Sequence, residues 1–346
     1  MPPPIVTSLL NTGPRIGLAH GNGGRFMREL IDGLFRRHLA NPLLDTTVDA
    51  AALPLGAGAG TLMTTTDGFT VEPLEFPGGN IGSLAVHGTV NDLAVAGATP
   101  LYLTVACFLE EGLDTALLDR LVAAMAAAAA EAGVCVVAGD TKVVRRGEGG
   151  GVYFATTGIG VRDPTLNLGI DEIRACDRLL VSGPVGDHGT AVMLAREQFG
   201  LRGDLVSDSA SVLPITRALA PLAGLRFMRD PTRGGLATVA HDIARLTGLT
   251  IRLDAAAIPV RDPVAAVCEM LGYDPLYLAC EGRVLAVVAP EAADAALAAV
   301  RHVPDCAEAA IIGAVSTGSP EVVLETELGG ERLIEELEDD PLPRIC

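Results

Sequence analysis

The sequence predicts an α/β protein of two units followed by a short acidic tail. Apolar runs of strand length alternate with longer helical runs, and glycine-rich turns separate them. At 346 residues the chain is long enough for two domains, and with 49% hydrophobic residues it can bury a substantial core. The alternation lapses twice: in a linker from Arg162 to Cys176, poor in apolar residues, and beyond Gly330, where acidic residues and proline take over. The expected divisions are an N-terminal glycine-rich loop and helix (1–40), a first domain (41–162), a second domain (172–330) and a flexible tail (331–346).

Composition removes several classes of function. A net charge of −18 argues against nucleic acid or an anionic membrane surface as partner. The most apolar stretch, Leu121 to Ala130, stops at Glu131 and is too short to span a bilayer. Met1-Pro2-Pro3-Pro4 lacks the charged and apolar regions of a secretion signal. Seven cysteines form no CxxC pair, which fits free thiols in a reducing cytoplasm, and the six histidines show no metal-ligand spacing. Of the 25 cationic residues, Lys142 is the only lysine. A chain that uses arginine everywhere else suggests a need there for a compact ammonium, which guanidinium does not mimic.

The elements follow in order. Leu18 to Arg25 is a glycine-rich turn ahead of a helix from Phe26 to His38. Main-chain N–H groups at Gly21, Asn22, Gly23 and Gly24 can cradle phosphate there, although a plain loop carries the same residues. Thr61 to Thr66 reads as a buried strand ending at Asp67-Gly68, where the carboxylate is either a metal–phosphate ligand or a turn residue. After a turn at 76–80, a helix runs from Ile81 to Ala96. Asn91 and Asp92 are polar within its apolar run, so they cap locally or face a ligand, the second being the favoured reading. Leu101 to Leu109 is a strand, Thr115 to Ala132 a packing helix, and Val134 to Ala138 a strand ending in Gly139-Asp140-Thr141-Lys142. Asp140 with Thr141 can hold Mg²⁺, and Lys142 can neutralise a phosphate or developing oxyanion; a surface turn is the alternative. A strand from Gly151 to Val161 closes the first unit.

Arg178 to Ser182 opens the second unit, and a turn and helix place Asp187 and His188 at a cleft edge. The strand Leu225 to Met228 precedes Asp230-Pro231, suited to an N-cap and first helical position, and Arg233-Gly234-Gly235, suited to an anion. A helix (Leu236 to Leu246) and a strand (Thr250 to Leu253) follow. Glu281 lies between apolar segments, before a strand from Arg283 to Ala289. Desolvation there would raise its pKa and suit it to proton transfer; otherwise it is a turn carboxylate. Residues 335–340, EELEDD, with Pro341 and Pro343 should not fold alone. From Gly330, some 16 residues give Cys346 a reach of about 50 Å. A mobile thiol of that kind can be loaded by one protein and presented to the active site of another.

The runs HGNGG (20–24), FPGG (76–79), GTVNDL (88–93), GDTKVV (139–144), GDHG (186–189), DPTRGG (230–235), Glu281-Gly282 and PRIC (343–346) form a combined signature. With them the chain resembles the HypE family of hydrogenase maturation proteins, carbamoyl dehydratases of cyanide-ligand synthesis. More broadly it is similar to the aminoimidazole ribonucleotide synthetase-like (PurM-like) ATP-dependent superfamily. The resemblance implies an α/β (α+β) fold of two PurM-like domains, the first forming a shared β-barrel across a homodimer, with ATP and Mg²⁺ between the domains. It implies ATP-dependent dehydration of a carboxamide on Cys346, from thiocarboxamide to thiocyanate, to supply the cyanide ligand for the iron of nickel–iron hydrogenase. The implied partners are a carbamoyltransferase, HypF, which loads the thiol, and an iron-carrying HypC–HypD complex, which accepts the cyanide.

Carried over by motif, Cys346 is the carrier, and Lys142 and Glu281 are the catalytic pair. Gly21, Asn22, Gly23, Gly24, Asn91 and Thr141 contact ATP, and Asp67, Asp92, Asp140 and Asp230 are ATP and Mg²⁺ ligands. Four positions depart from the family pattern: Asn22 for Ser or Ala, Asn80 for Asp, Cys280 for Asn, and Arg283 for Lys. The alternative is a small-molecule ATP-dependent synthetase of the same superfamily, making selenophosphate or aminoimidazole ribonucleotide. The former usually carries a reactive cysteine or selenocysteine near its N-terminus, and residues 1–24 contain none.

Overall fold

The computed structural model describes residues 24–30, 32, 47, 51–54, 60–196 and 204–338. After α1 (Arg25–Leu30), the first domain contains β1 (Ala51–Pro54), β2 (Thr61–Phe69), β3 (Glu75–Phe76), β4 (Gly79–Asn80), α2 (Ile81–Val95), β5 (Ala98–Glu110), α3 (Thr115–Ala132), β6 (Cys135–Val144) and β7 (Val152–Arg162). Its sheet has the order β1-β2-β7-β5-β6. Only β5 and β6 pair in parallel within it, among the described residues, because α3 carries the chain back across the sheet between them. Helix α2 is buried almost all round, as expected for a helix enclosed between its own sheet and a second domain. Its start is fixed by a reciprocal cap: Asn80 Oδ1 accepts from the N–H groups of Gly82 and Ser83, while Ser83 Oγ accepts from Asn80 N.

The second domain comprises β8 (Arg178–Val181), α4 (Asp187–Ala195), α5 (Leu213–Leu219), β9 (Leu225–Arg229), α6 (Gly235–Thr247), β10 (Thr250–Asp254), α7 (Asp262–Leu271), β11 (Leu285–Val288), α8 (Ala293–Arg301), β12 (Ala310–Ser316), β13 (Val322–Glu325) and β14 (Glu331–Leu333). The sheet order is β14-β13-β10-β12-β8-β11-β9. β8 and β11 lie inside it and are apolar without alternation (Leu179, Leu180 and Val181; Leu285 to Val288), since both faces are covered. One continuous apolar core joins the domains: Leu84, Val86 and Val90 of α2 share it with Val212, Leu213, Leu219 and Met228.

Four sequence expectations are corrected. β2 does not stop at Thr66 but runs through Asp67-Gly68 to Phe69, because β7 offers a partner along its whole length. β6 likewise continues through Gly139–Lys142 to Val144, paired with β5. Asp230 and Pro231 do not cap a helix: α6 begins at Gly235, with Gly234 in a left-handed conformation (φ 74°) as its N-cap. The tail does not begin at 331. β14 pairs with β13, Ile334 is buried, Tyr277 Oη donates to Glu335 O (2.7 Å), and Arg25 N donates to Leu337 O (2.9 Å). Glu338 pairs with Arg25 (2.9 Å) and Glu336 with Arg28, so the arginines of α1 hold acidic residues that were expected to repel one another. No helix among the described residues is long and apolar enough to cross a membrane.

Candidate active site

A cluster of acidic residues forms where α2 and β2 meet the second domain. From the first domain, Asp92 on α2 accepts a hydrogen bond from Thr65 Oγ1 on β2 (2.7 Å). Two residues further along β2, Asp67 accepts from Gly68 N (2.7 Å) and stands 4.0 Å from the Arg233 guanidinium. Burial raises the Asp67 pKa, against the pull of Arg233. From the second domain, Asp230 and Glu281 are buried, at 6% and 5% exposure. Burial, and then the charges of Asp230, Asp208 and Asp67, push the Glu281 carboxyl well above the ordinary carboxylate range, with Arg233 opposing. Asp67 and Asp230 thus both act on the Glu281 carboxyl, and Arg233 opposes them.

The main chain at Glu281 is gripped from both ends. Its N–H donates to Asp208 Oδ1 (3.1 Å), and its carbonyl accepts from Asn91 Nδ2 (3.2 Å) and Ala210 N (3.3 Å). Asn91 also donates to Ala210 O (2.9 Å) and accepts from Val212 N (2.8 Å). Its amide is thus engaged in joining the domains, and the expectation that it faces a ligand is corrected.

Asp140 and Lys142 lie elsewhere. Asp67 is in register with Thr156, Thr156 with Val105, and Val105 with Gly139. Asp140 is thus three strand spacings from Asp67, about 14 Å. It pairs with Lys142 at 3.1 Å on an exposed strand. The four aspartates consequently do not form one cage, and among the described residues no three His, Cys, Asp or Glu side chains converge as a metal site. Mg²⁺ commonly takes one or two carboxylates and completes its shell with phosphate and water, and Asp67 with Asp230 fits that demand. Gly24 is buried immediately before α1. Gly21, Asn22, Gly23, Cys346 and the side chain of Thr141 lie outside the described residues.

Two departures from the family pattern have a physical basis. Arg283 donates from Nε to Pro184 O (3.1 Å) and from Nη1 to Asp305 O (3.2 Å), and pairs with Asp208 (3.4 Å) and Asp187 (3.7 Å). Only a fork of donors does all of that at once. Cys280 is fully buried with its Sγ 3.2 Å from Gly186 N, and burial pushes its thiol well up, so it is an inert packing residue. His188 is also structural: it is buried, its Nδ1 meets Ser207 Oγ at 2.8 Å, and burial lowers its pKa to about 3. Sequence reasoning missed Asp208. The run SDSAS (207–211) has the composition of a solvated loop, yet the Asp208 side chain is 1% exposed.

Known proteins match this architecture. Residues 47–162 match the family model of the AIR synthase related protein N-terminal domain, and residues 176–325 that of its C-terminal domain. The carbamoyl dehydratase HypE of Azotobacter vinelandii is 48% identical over 333 residues, covering 96% of this chain and 97% of that protein. The chain belongs to the HypE family of carbamoyl dehydratases. Among solved structures, HypE in a HypE–HypF complex is 41% identical with a TM-score of 0.84, covering 89% of this chain and 99% of that one. A HypE in complex with ATP is 45% identical with a TM-score of 0.80, covering 98% and 100%. The Glu281 grip and the buried Arg283 described above are therefore features of a HypE-family enzyme.

Proposed function

We propose that this HypE-family chain dehydrates a carboxamide carried on Cys346 to a thiocyanate, at the expense of ATP, to supply the cyanide ligand of nickel–iron hydrogenase. The observation that carries this reading is a buried carboxyl group, Glu281, set among the acidic residues Asp67 and Asp230 at the domain junction, where burial and their charges raise its proton affinity. Such a site suits a reaction that needs both a base and a cation-bridged phosphate. The full-length family likeness favours it over a small-molecule synthetase of the wider superfamily.

The chemistry sets the tasks. An amide oxygen leaves poorly; transfer of the γ-phosphoryl group of ATP to it releases ADP and makes it a good leaving group. Loss of two nitrogen protons and departure of phosphate then leave the nitrile on sulfur. Asp67 and Asp230 would hold Mg²⁺, which supplies charge neutralisation on the phosphates when bound. Arg233 adds a fixed positive charge beside Asp67. Glu281 takes the nitrogen proton, and burial with its acidic neighbours raises its affinity for that proton. Lys142 sits on the β6 edge, about 14 Å from Asp67 of its own chain, and its proposed role, stabilising developing negative charge, would be played at the site of the second copy.

The enzyme is proposed to work in the cytoplasm as a homodimer, loaded by a HypF-type carbamoyltransferase and discharging to a HypC–HypD-type iron complex. The unpaired side of β6 supports the dimer. Val136, Val137 and Val143 are 45%, 55% and 69% exposed, beside Tyr102 and Phe108 of β5 at 47% and 39%. An apolar sheet edge of this kind calls for a partner strand, here a second copy closing a shared barrel. Intact-mass analysis after incubation with the carbamoyltransferase, carbamoyl phosphate and ATP tests the whole reading. The protein should gain one carboxamide and then lose one water, and Cys346→Ala should abolish both. ATP-dependent loss of water from a free small amide, unaffected by Cys346→Ala, would overturn it.

A further inference from the structure

We propose that Asp208 is a positioning residue for the dehydration: anchored by Arg283, it fixes the main chain of Glu281 and so aims the Glu281 carboxylate at the carboxamide nitrogen. The proposal rests on the reading of Glu281 as the base. Three contacts hold the Glu281 peptide groups, one from α2 and two from the 207–211 loop. Asn91 of α2 and the Ala210 amide bind its carbonyl, whereas only Asp208, among the described hydrogen bonds, takes its N–H. The next residue, Gly282, is packed so tightly that an added Cβ would run into the main-chain oxygen of Asp208. Asp208 is itself immobilised: its other oxygen pairs with Arg283 at 3.4 Å, and Arg283 is oriented by Pro184 O, Asp305 O and Asp187.

Asp208 does not belong to the reacting shell. With Arg283, Asp187 and Arg261 it lines a separate cavity of about 1060 Å³ to which Asp67, Asp230 and Glu281 do not contribute. A carboxylate placed there, one peptide group behind the base, acts through geometry. Misplacement of a reacting group by about 1 Å costs on the order of 10²-fold in rate.

The test is a double-mutant cycle on the full chain, preloaded with carboxamide and followed for loss of one water in a single turnover at saturating Mg–ATP. Asp208→Ala should slow dehydration on the order of 10²-fold, with Mg–ATP affinity by calorimetry held within about threefold. In a Glu281→Gln background, Asp208→Ala should change the residual rate less than about threefold, since nothing is left to aim. Asp208→Asn keeps an oxygen for the Glu281 N–H and should recover at least tenfold of the loss, on the order of one good hydrogen bond. If Asp208→Ala does not fold, Asp208→Ser, too short to reach the amide yet polar toward Arg283, is read by the same cycle. Equal cost in both backgrounds, no rescue by Asn, or wild-type rates overturn the proposal. A wild-type rate for Glu281→Gln alone overturns instead the reading of Glu281 as the base.

Discussion

Glu281 has lost the ordinary acidity of a carboxyl group to its surroundings: burial first, then three neighbouring aspartates. As a base it works deprotonated, so with its pKa raised the dehydration rate should climb with pH well above the usual carboxylate range and then level off. Glu281→Gln should remove that limb and slow the step by 10² to 10⁴-fold, a range typical of a positioned base, without loss of Mg–ATP binding. Single-turnover rates against pH measure both. Lys142→Arg should also slow the reaction although charge is kept, because the planar fork does not place a compact ammonium; a rate equal to wild type would remove Lys142 from the mechanism. His188 makes a stability prediction. Its folded pKa is about 3, below the unfolded value near 6.5, so its contribution is full above 6.5 and lost as pH falls. Between pH 7 and pH 5 wild type should lose about 2 kcal/mol more than His188→Gln, measured by urea unfolding. Asp187, raised to about 6, changes stability in the opposite direction but equally in both proteins. At this scale the sequence exposed Glu281, whose apolar flanks announce burial, and hid Asp208, whose serine neighbours resemble any solvated loop.

The elements were legible in type and order but not always in length. Asp67-Gly68 and Gly139-Asp140 look like turns because acidic residues and glycine punctuate chains locally, yet both lie inside ladders whose partners continue past them. Strand pairing is a long-range property, and no local window contains it. Capping was misassigned for the same reason: Asp230-Pro231 has cap chemistry, but Cys280 N takes the Pro231 carbonyl (2.9 Å) and the helix starts later, at Gly234-Gly235. A reciprocal side-chain cap does form at the start of α2, on Asn80. Asn80→Ala should lower stability by about 1 kcal/mol, and Asn80→Asp, which caps as well as Asn, should leave it within a few tenths. Chemical denaturation of the two variants measures it, and equal stability of all three proteins would remove the cap from the account of α2.

At the scale of the molecule, two faces remain informative. The apolar β6 edge predicts that Val137→Lys or Val143→Lys converts the proposed dimer to monomer in sedimentation equilibrium while each domain stays folded; two dimeric variants would place the interface elsewhere. Composition could give the apolar core but not its continuity across the two domains, which depends on α2 lying between them. The clamp of α1 on Glu336 and Glu338 changes the arm that carries the thiol. With the root fixed at Glu338, Cys346 is the eighth residue beyond it, a reach of about 28 Å. A thiol confined to a sphere of that radius has an effective concentration on the order of 10 mM. The site then needs almost no intrinsic affinity for so small a group as a carboxamide. Turnover of loaded protein should be independent of dilution, and free amides should compete only at millimolar levels or above. For the proposed carrier Cys346, the arginines of α1 would then act on dosage, setting how often it visits without touching what happens when it arrives.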